Sequence, residues 1–472
     1  MTLWILVALT ASAGPAPVAM VTASAEAQPA RAPATTDAGE LAARAAPSSL
    51  RVVRTGASSA ELAWAPPPGS AVADSAVAPL LVQRQYAVPS HRGQWFTVGE
   101  LPARSRAYTV TGLLESQQYA FRVCAGAGAC SATATGRTAA ASPALRGVII
   151  ADANATFPRQ GEGTIVRDGG RLFYFCGRWT VGADVGASVI VFRTSEDNGT
   201  SWSEPTQMTP SDGKGRANVG AVVLGPGHIL ISYFVGVSHS SAFRVSRAST
   251  DSGRSWGPEA MLSDGSFSYM TGAMDRMRLL SNGRVIITVH AREEHAAACP
   301  GVAKTMTCLC TVVFFSDDKG RSWQRAKLPV QLNTSADLSA AEHGFYEAPL
   351  VELEQPGHLL MLGRGASGWL GQTRSTDYGS TWATPFPNRQ LPHPLAPPNL
   401  ARLPGGALLL LTEPHILPFA GGCLGTRFVI ASQVSHDDGQ TWENYKELQY
   451  TGADATQDCK TRPILCSGLG CI

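Results

Sequence analysis

The chain has 472 residues, 44% of them apolar and 16% charged, with a formal net charge of +2. That length suits two domains with substantial cores rather than one small domain. So weak a charge provides no basic field, which excludes recognition of nucleic acid through bulk electrostatics and requires any partner to be bound by a local site.

In chain order, the first element is the apolar run Leu3-Trp4-Ile5-Leu6-Val7-Ala8-Leu9, followed by small-residue sites at Ala11-Ser12-Ala13 and Ala23-Ser24-Ala25. This pattern predicts a signal peptide over residues 1–25 and hence a secreted, extracellular protein; the run is too short to be a stable membrane span. Residues 26–46, rich in Ala, Pro and Thr, read as a disordered linker. Over residues 47–142 the expectation is a β-sandwich. Pro47-Ser48-Ser49-Leu50 leads into a first strand, Leu62-Ala63-Trp64 forms a second, Trp95 follows, and Gly112-Leu113 precedes Tyr119-Ala120-Phe121-Arg122-Val123. Alternation puts Tyr119, Phe121 and Val123 on one sheet face. These residues resemble a fibronectin type III domain, with Tyr119 placed as its tyrosine corner.

From residue 150 to 472 one pattern recurs five times. It reads S-x-D-x-G-x-[ST]-W at Ser195–Trp202, Ser249–Trp256, Ser316–Trp323, Ser375–Trp382 and Ser435–Trp442. The Asp carboxylate accepts hydrogen bonds from turn amides, the Gly supplies positive φ, and the hydroxyl and indole tie the turn to its own sheet, as a tight hairpin requires. A spacing of about 60 residues corresponds to one four-stranded sheet per copy. Between copies lie apolar runs of strand length, each after a Gly or Pro turn signal: Arg171–Cys176, His228–Phe234, Arg284–Val289, His358–Leu362 and Ala407–Leu411. Each is a candidate second strand. The boxes resemble the Asp box, or BNR repeat, of the sialidases. That resemblance implies an all-β chain: a six-bladed β-propeller over 150–472 behind the fibronectin type III sandwich, with the sixth blade incomplete.

Two spans carry the resemblance into chemistry. Phe157-Pro158-Arg159-Gln160 precedes a strand, Gly177-Arg178 closes it, and Asp184 follows before the first box. By resemblance Arg159 is the first arginine of a carboxylate-binding triad, although Gln160-Gly161 departs from the family's Ile-Pro, and Asp184 is the acid/base. Tyr346-Glu347-Ala348-Pro349 and Gly363-Arg364 match the blade in which a Glu activates the nucleophile and an Arg closes the second strand. Arg427, eight residues before Ser435, stands where the family places its third arginine. Three guanidiniums converging from different blades suit the carboxylate of a sialic acid, and Asp184 would serve a two-step retaining mechanism. Glu162 reads equally well as the buried partner of an arginine.

The resemblance stops at the C-terminus. No Tyr stands at the family distance after the last box, Tyr450 is early, and only thirty residues follow Trp442, so the last blade must borrow residues 145–157 or remain imperfect. The implied activity is exo-α-sialidase-like hydrolysis of terminal sialic acids or related acidic sugars, with sialylated or acidic glycans as partners and no cofactor or metal. The alternative is a non-catalytic glycan-binding or adhesion protein that kept its arginines. His290-Ala291-Arg292-Glu293-Glu294-His295 has no helical metal-binding spacing. Ten cysteines fit loop disulfides, with Cys124 and Cys130 flanking a short Ala/Gly loop and Cys299, Cys308 and Cys310 grouped in one insertion. Asn154, Asn198 and Asn333 head formal glycosylation acceptors.

Overall fold

A computed structural model describes residues 46–66, 79–86, 95–126, 129–140, 148–182, 186–238, 241–262, 269–292, 307–327, 342–365, 369–393, 396–413 and 429–450. These residues are all-β. The N-terminal sandwich pairs a three-stranded sheet, in the order Ser48–Thr55, Ser59–Ala65, Ala107–Thr111, with a four-stranded one, in the order Phe96–Leu101, Leu80–Tyr86, Gln118–Ala125, Ala134–Arg137. Its core includes the three residues that alternation selected, Tyr119, Phe121 and Val123, buried together with Leu62 and Trp64. The Tyr119 hydroxyl accepts the Leu114 N–H at 2.9 Å, which makes the tyrosine corner. Cys124 and Cys130 form a disulfide across the Ala/Gly loop.

Five sheets follow among the described residues, each with four antiparallel strands in sequence order, and the third also takes Glu342–Phe345 as a parallel fifth strand. The first runs from Arg159 to Gln207, the second from Gly215 to Met261, the third from Met277 to Arg325, the fourth from Leu350 to Pro392 and the fifth from Asn399 to Tyr450. The five apolar runs all became second strands, at Arg171–Trp179, His228–Ser238, Val285–Arg292, Leu359–Gly363 and Leu408–Thr412. Neither the expected sixth sheet nor a closed ring is found among the described residues, where Ile150 and Ala151 pack against Tyr174 and Val191 of the first sheet.

Cores lie between successive sheets. Phe173, Phe175 and Ile190 of the first meet Val219, Ile229 and Tyr233 of the second; Leu230 of the second meets Met277, Val285 and Phe314 of the third. Ile286 and Phe315 of the third meet Leu350, Leu359 and Met361 of the fourth, while Leu360 and Leu362 of the fourth meet Leu400, Leu408 and Leu410 of the fifth. The second, third and fourth sheets are therefore buried on both faces, which is why their second strands are continuous apolar runs, whereas Leu408–Thr412 of the fifth alternates between buried and half-buried.

The boxes form the hairpins between third and fourth strands. In each, the Ser hydroxyl donates to the Asp and accepts the Gly amide, as for Ser375, whose Oγ lies 2.8 Å from Asp377 Oδ1 and 3.0 Å from Gly379 N. Asp377 also accepts the Thr381 amide at 2.9 Å and the Thr381 hydroxyl at 2.6 Å. The tryptophans do not all stay within their own sheets. Trp202 and Trp382 donate to their own box Gly carbonyls, whereas Trp323 of the third sheet donates to Ser246 of the second. The box glycines reach across too. A Cβ on Gly253, Gly320, Gly379 or Gly439 would press into Phe173, Leu230, Ile286 or Leu360, in each case a second-strand residue of the preceding sheet. These glycines have φ near +80°, so the residue supplies both the left-handed turn and the close approach.

Cys310 is a correction to the loop-disulfide reading, since it is a buried thiol within the strand Thr307–Ser316, and Cys176 is a buried thiol in the first sheet. Burial pushes the Cys176 thiol up to about 12. Cys299 lies outside the described residues.

Candidate active site at the inner strands

A bend is repeated in or just before the first strand of each of the first four sheets. Glu162, Asn218, Asp275 and Glu347 all have φ between 48° and 57°. Left-handed backbone at a non-glycine residue costs on the order of 1–3 kcal/mol and persists only where its surroundings fix it, which makes it a pointer to function. The bends break the ladders, with register shifts between Gly161 and Thr164 and between Ala217 and Gly220. Each bend turns a polar side chain toward its neighbours.

From these bends runs one connected set of contacts. The Arg159 guanidinium pairs with Glu162 and stacks 4.5 Å from the Trp179 ring, so Glu162 is the arginine partner that the sequence allowed. The other Glu162 oxygen accepts Asn218 Nδ2 at 2.7 Å, and the Asn218 carbonyl accepts Arg244 Nη2 at 2.6 Å. Arg244 Nη1 reaches the Thr271 carbonyl at 3.5 Å, and the Thr271 hydroxyl lies 2.6 Å from His290 Nε2. His290 meets the Tyr346 ring edge-on at 5.7 Å, and Arg364 lies 4.5 Å over the face of that ring. Arg364 Nε is 2.8 Å from a Glu347 oxygen, an ion pair that is close but poorly aligned as a hydrogen bond.

Local structure fixes the ends of this set. The segment Glu342–Phe345 runs parallel to the strand Thr307–Ser316, and Thr311 Oγ1 donates to the Phe345 carbonyl at 2.8 Å. Paired bonds of 3.2 Å between the backbones of Tyr346 and Arg364 then place Glu347 against the arginine that closes the next strand. Of the expected site residues, Arg159, Glu347 and Arg364 therefore lie on one network drawn from four sheets. Asp184 and Arg427 lie outside the described residues, as does the side chain of Tyr450. Arg178 turns aside and stacks 3.8 Å from the Phe157 ring.

Two arginines that the sequence did not single out are the most buried of all. Arg244 is 0% and Arg276 1% exposed. Burial, and then the positive charge of Arg276, bring Arg244 down to about 9. Burial brings Arg276 down to about 10 against the opposing pull of Asp275 and Glu347. Arg276 donates to the carbonyls of Met274 at 2.9 Å and of Pro398 at 2.7 Å, tying the third sheet to the start of the fifth. Nothing local in the sequence marks either of them.

An open groove of about 740 Å³ lies elsewhere, at the box end of the fourth and fifth sheets, lined by His358, Arg374, Phe386, Arg389 and Asp438 among others. It shares no residue with the network.

The chain can now be compared with known proteins. Residues 212–455, just over half of the chain, match the family described as a BNR repeat-like domain, and residues 45–137 match the fibronectin type III domain. No curated protein sequence matches the chain. Among solved structures, a protein of unknown function from Dyadobacter fermentans is similar at a TM-score of 0.51 and 18% identity, over 65% of this chain and 87% of its own; at that identity the likeness concerns the fold alone. The NanB sialidase of Streptococcus pneumoniae has a TM-score of 0.48 at 10% identity, over 79% of this chain and 88% of its own. A Trypanosoma rangeli sialidase solved with 2,3-difluorosialic acid has a TM-score of 0.46 at 14% identity over 65% of this chain, which spans 49% of that sialidase. With the boxes, the repeated sheets and the matched residues in view, the chain belongs to the BNR repeat-like domain family and carries a fibronectin type III domain ahead of its repeats.

Proposed function

We propose that the protein is a secreted, sialidase-like glycoside hydrolase that removes terminal sialic acids or related acidic sugars from glycoconjugates, and that its five described sheets belong to a six-bladed propeller. The observation that carries this reading is the connected set Arg159, Glu162, Arg364 and Glu347, in which guanidiniums from separate sheets are buried beside carboxylates. A guanidinium has five N–H donors in a fixed fork, so an arginine held on one edge by a glutamate is oriented to present another edge to a substrate carboxylate. In this reading Arg159, Arg364 and Arg427 bind that carboxylate and Asp184 protonates the leaving oxygen. Glu347 lowers the cost of ionising a tyrosine nucleophile, for which Tyr450 is the candidate.

The test is incubation of the purified chain with a fluorogenic sialoside, beside an equilibrium binding assay with a sialic acid analogue. Turnover that is lost in Tyr450→Phe supports the hydrolase with that nucleophile. Binding without turnover moves the protein to the glycan-binding alternative, and the absence of both removes acidic sugars from consideration.

A further inference from the structure

We propose that Arg244 and Arg276 together hold a small inorganic anion, chloride in the first instance, beneath the bends of the second and third sheets. The proposal does not rest on the sugar-binding reading, although Arg244 is also a link of the network through Asn218 and Thr271.

Both guanidiniums are fully enclosed, at 0% and 1% exposure. Their partners are neutral oxygens. Arg244 donates to the Ser232 hydroxyl at 3.0 Å, the Asn218 carbonyl at 2.6 Å and the Thr271 carbonyl at 3.5 Å; Arg276 donates to the carbonyls of Met274 and Pro398. Arg276 Nε is buried with no acceptor among the described residues. The two side chains meet the same short segment, since their acceptors Thr271 and Met274 are three residues apart, and Gly272 at φ 157° admits Arg244 Nη1, which a Cβ there would approach to 3.0 Å.

The nearby carboxylates are engaged with other groups. Asp275 pairs with Arg278 at 3.1 and 3.2 Å and accepts the Thr164 hydroxyl at 2.8 Å, while Glu347 pairs with Arg364 and Glu162 with Arg159. The charge that acts on Arg244 is that of Arg276, which is of like sign. Arginine does not shed its proton in proteins, so it cannot escape a buried position by neutralising as a lysine can. Asp275 and Glu347 offset only part of the burial of Arg276, and two enclosed cations whose hydrogen-bond partners among the described residues are neutral oxygens are unfavourable; an anion beside them relieves both the desolvation and the mutual repulsion. Full enclosure of both guanidiniums favours a small ion such as chloride over phosphate, sulfate or a sugar carboxylate.

The experiment is thermal unfolding of the full chain in sodium chloride and in sodium gluconate at equal ionic strength. A ligand that binds only the folded state raises the midpoint with concentration. The expected result is a rise specific to chloride and shared by bromide, and its loss in Arg244→Gln. Equal midpoints in the two salts, or an undiminished chloride effect in Arg244→Gln, would overturn the proposal. Should Arg244→Gln fail to fold, crystals of the unaltered chain grown in bromide decide the matter: anomalous density in contact with Arg276 Nε supports the site, and its absence there overturns it.

Discussion

The hydroxyl of Tyr119 donates to Oε2 of Glu447 at 2.6 Å, so the tyrosine corner of the N-terminal sandwich is completed by a carboxylate from the last strand of the fifth sheet. Glu447 also forms a fully buried ion pair with Arg84 of the sandwich. Tyr445, whose hydroxyl is 3.1 Å from Arg84 and 3.2 Å from Glu447, closes the cluster. The Glu447 amide donates to the Gly112 carbonyl at 2.6 Å. Burial, and then the Glu447 charge, hold both phenols protonated far above their ordinary range. The sandwich is thus fastened to the repeats by a buried polar network in which one carboxylate serves Tyr119, Arg84, Tyr445 and the Leu114 amide.

Glu447→Gln is therefore expected to destabilise the chain by about 3 to 5 kcal/mol, because it leaves Arg84 buried without its counter-charge. Adding Arg84→Met to Glu447→Gln should recover most of that loss, since removing both charges leaves nothing uncompensated. Chemical denaturation of the two variants measures this; a cost below 1 kcal/mol for the single change would show that the junction does not support the fold.

Asp377→Ala removes the acceptor of the Ser375 hydroxyl, the Thr381 amide and the Thr381 hydroxyl. A loss of about 1 to 3 kcal/mol follows from the donors left unpaired. Affinity for any ligand at the inner strands should be unchanged, because the box lies on the hairpin between third and fourth strands. Denaturation and ligand titration of the same variant separate the two effects.

The boxes also predict acid sensitivity. The hydroxyl of Ser201, then its amide, hold Asp197 near 2, and the hydroxyl and amide of Ser255 do the same for Asp251, against an ordinary 3.8. Folded-state values lie below unfolded ones, so this stabilisation is complete above about pH 4 and is lost as pH falls toward 2. Melting temperatures should be level from pH 7 to 5 and fall steeply below 4. In Asp251→Asn the fall should be shallower.

In the fourth sheet's bend, Glu347→Gln keeps the shape of the side chain but removes the carboxylate charge paired with Arg364. Sialoside hydrolysis, if present, is expected to fall by about 10²–10⁴-fold, the range for loss of a group that manages a proton. Arg364→Lys keeps the charge but not the fork, and should weaken binding of a sialic acid analogue with little change in the pH profile. Kinetics of the two variants distinguish these effects.

The parts of the structure legible in the sequence were those that local pattern dictates. The second strands announced themselves because a sheet covered on both faces selects unbroken apolar runs, and the boxes because their turn needs fixed residue types at fixed offsets. Glu162 was readable as an arginine's partner three residues from Arg159. The left-handed bends at Glu162 and Glu347 were hidden, since neither carries the Gly or Asn that usually marks positive φ. Arg244 sits among polar and apolar neighbours in Ser241–Ser249 and reads as a surface residue; only the adjoining sheets enclose it. Glu447 likewise looks like part of an exposed outer strand, and no local period foretells that a separate domain docks there.

The box glycines carry a consequence for how such proteins grow. The second to fifth sheets each bear a wedge on one flank, and the second strands of the first to fourth each carry the apolar socket that receives the next wedge. This is a head-to-tail joint of the kind that links identical subunits into rings or open filaments according to whether the rotation closes. Such a joint recognises its neighbour but cannot count, so duplicating or deleting one sheet satisfies every local contact and is opposed only by the geometry of closure. The number of sheets in a lineage is therefore open to change by whole units, while the residues at each joint stay the same.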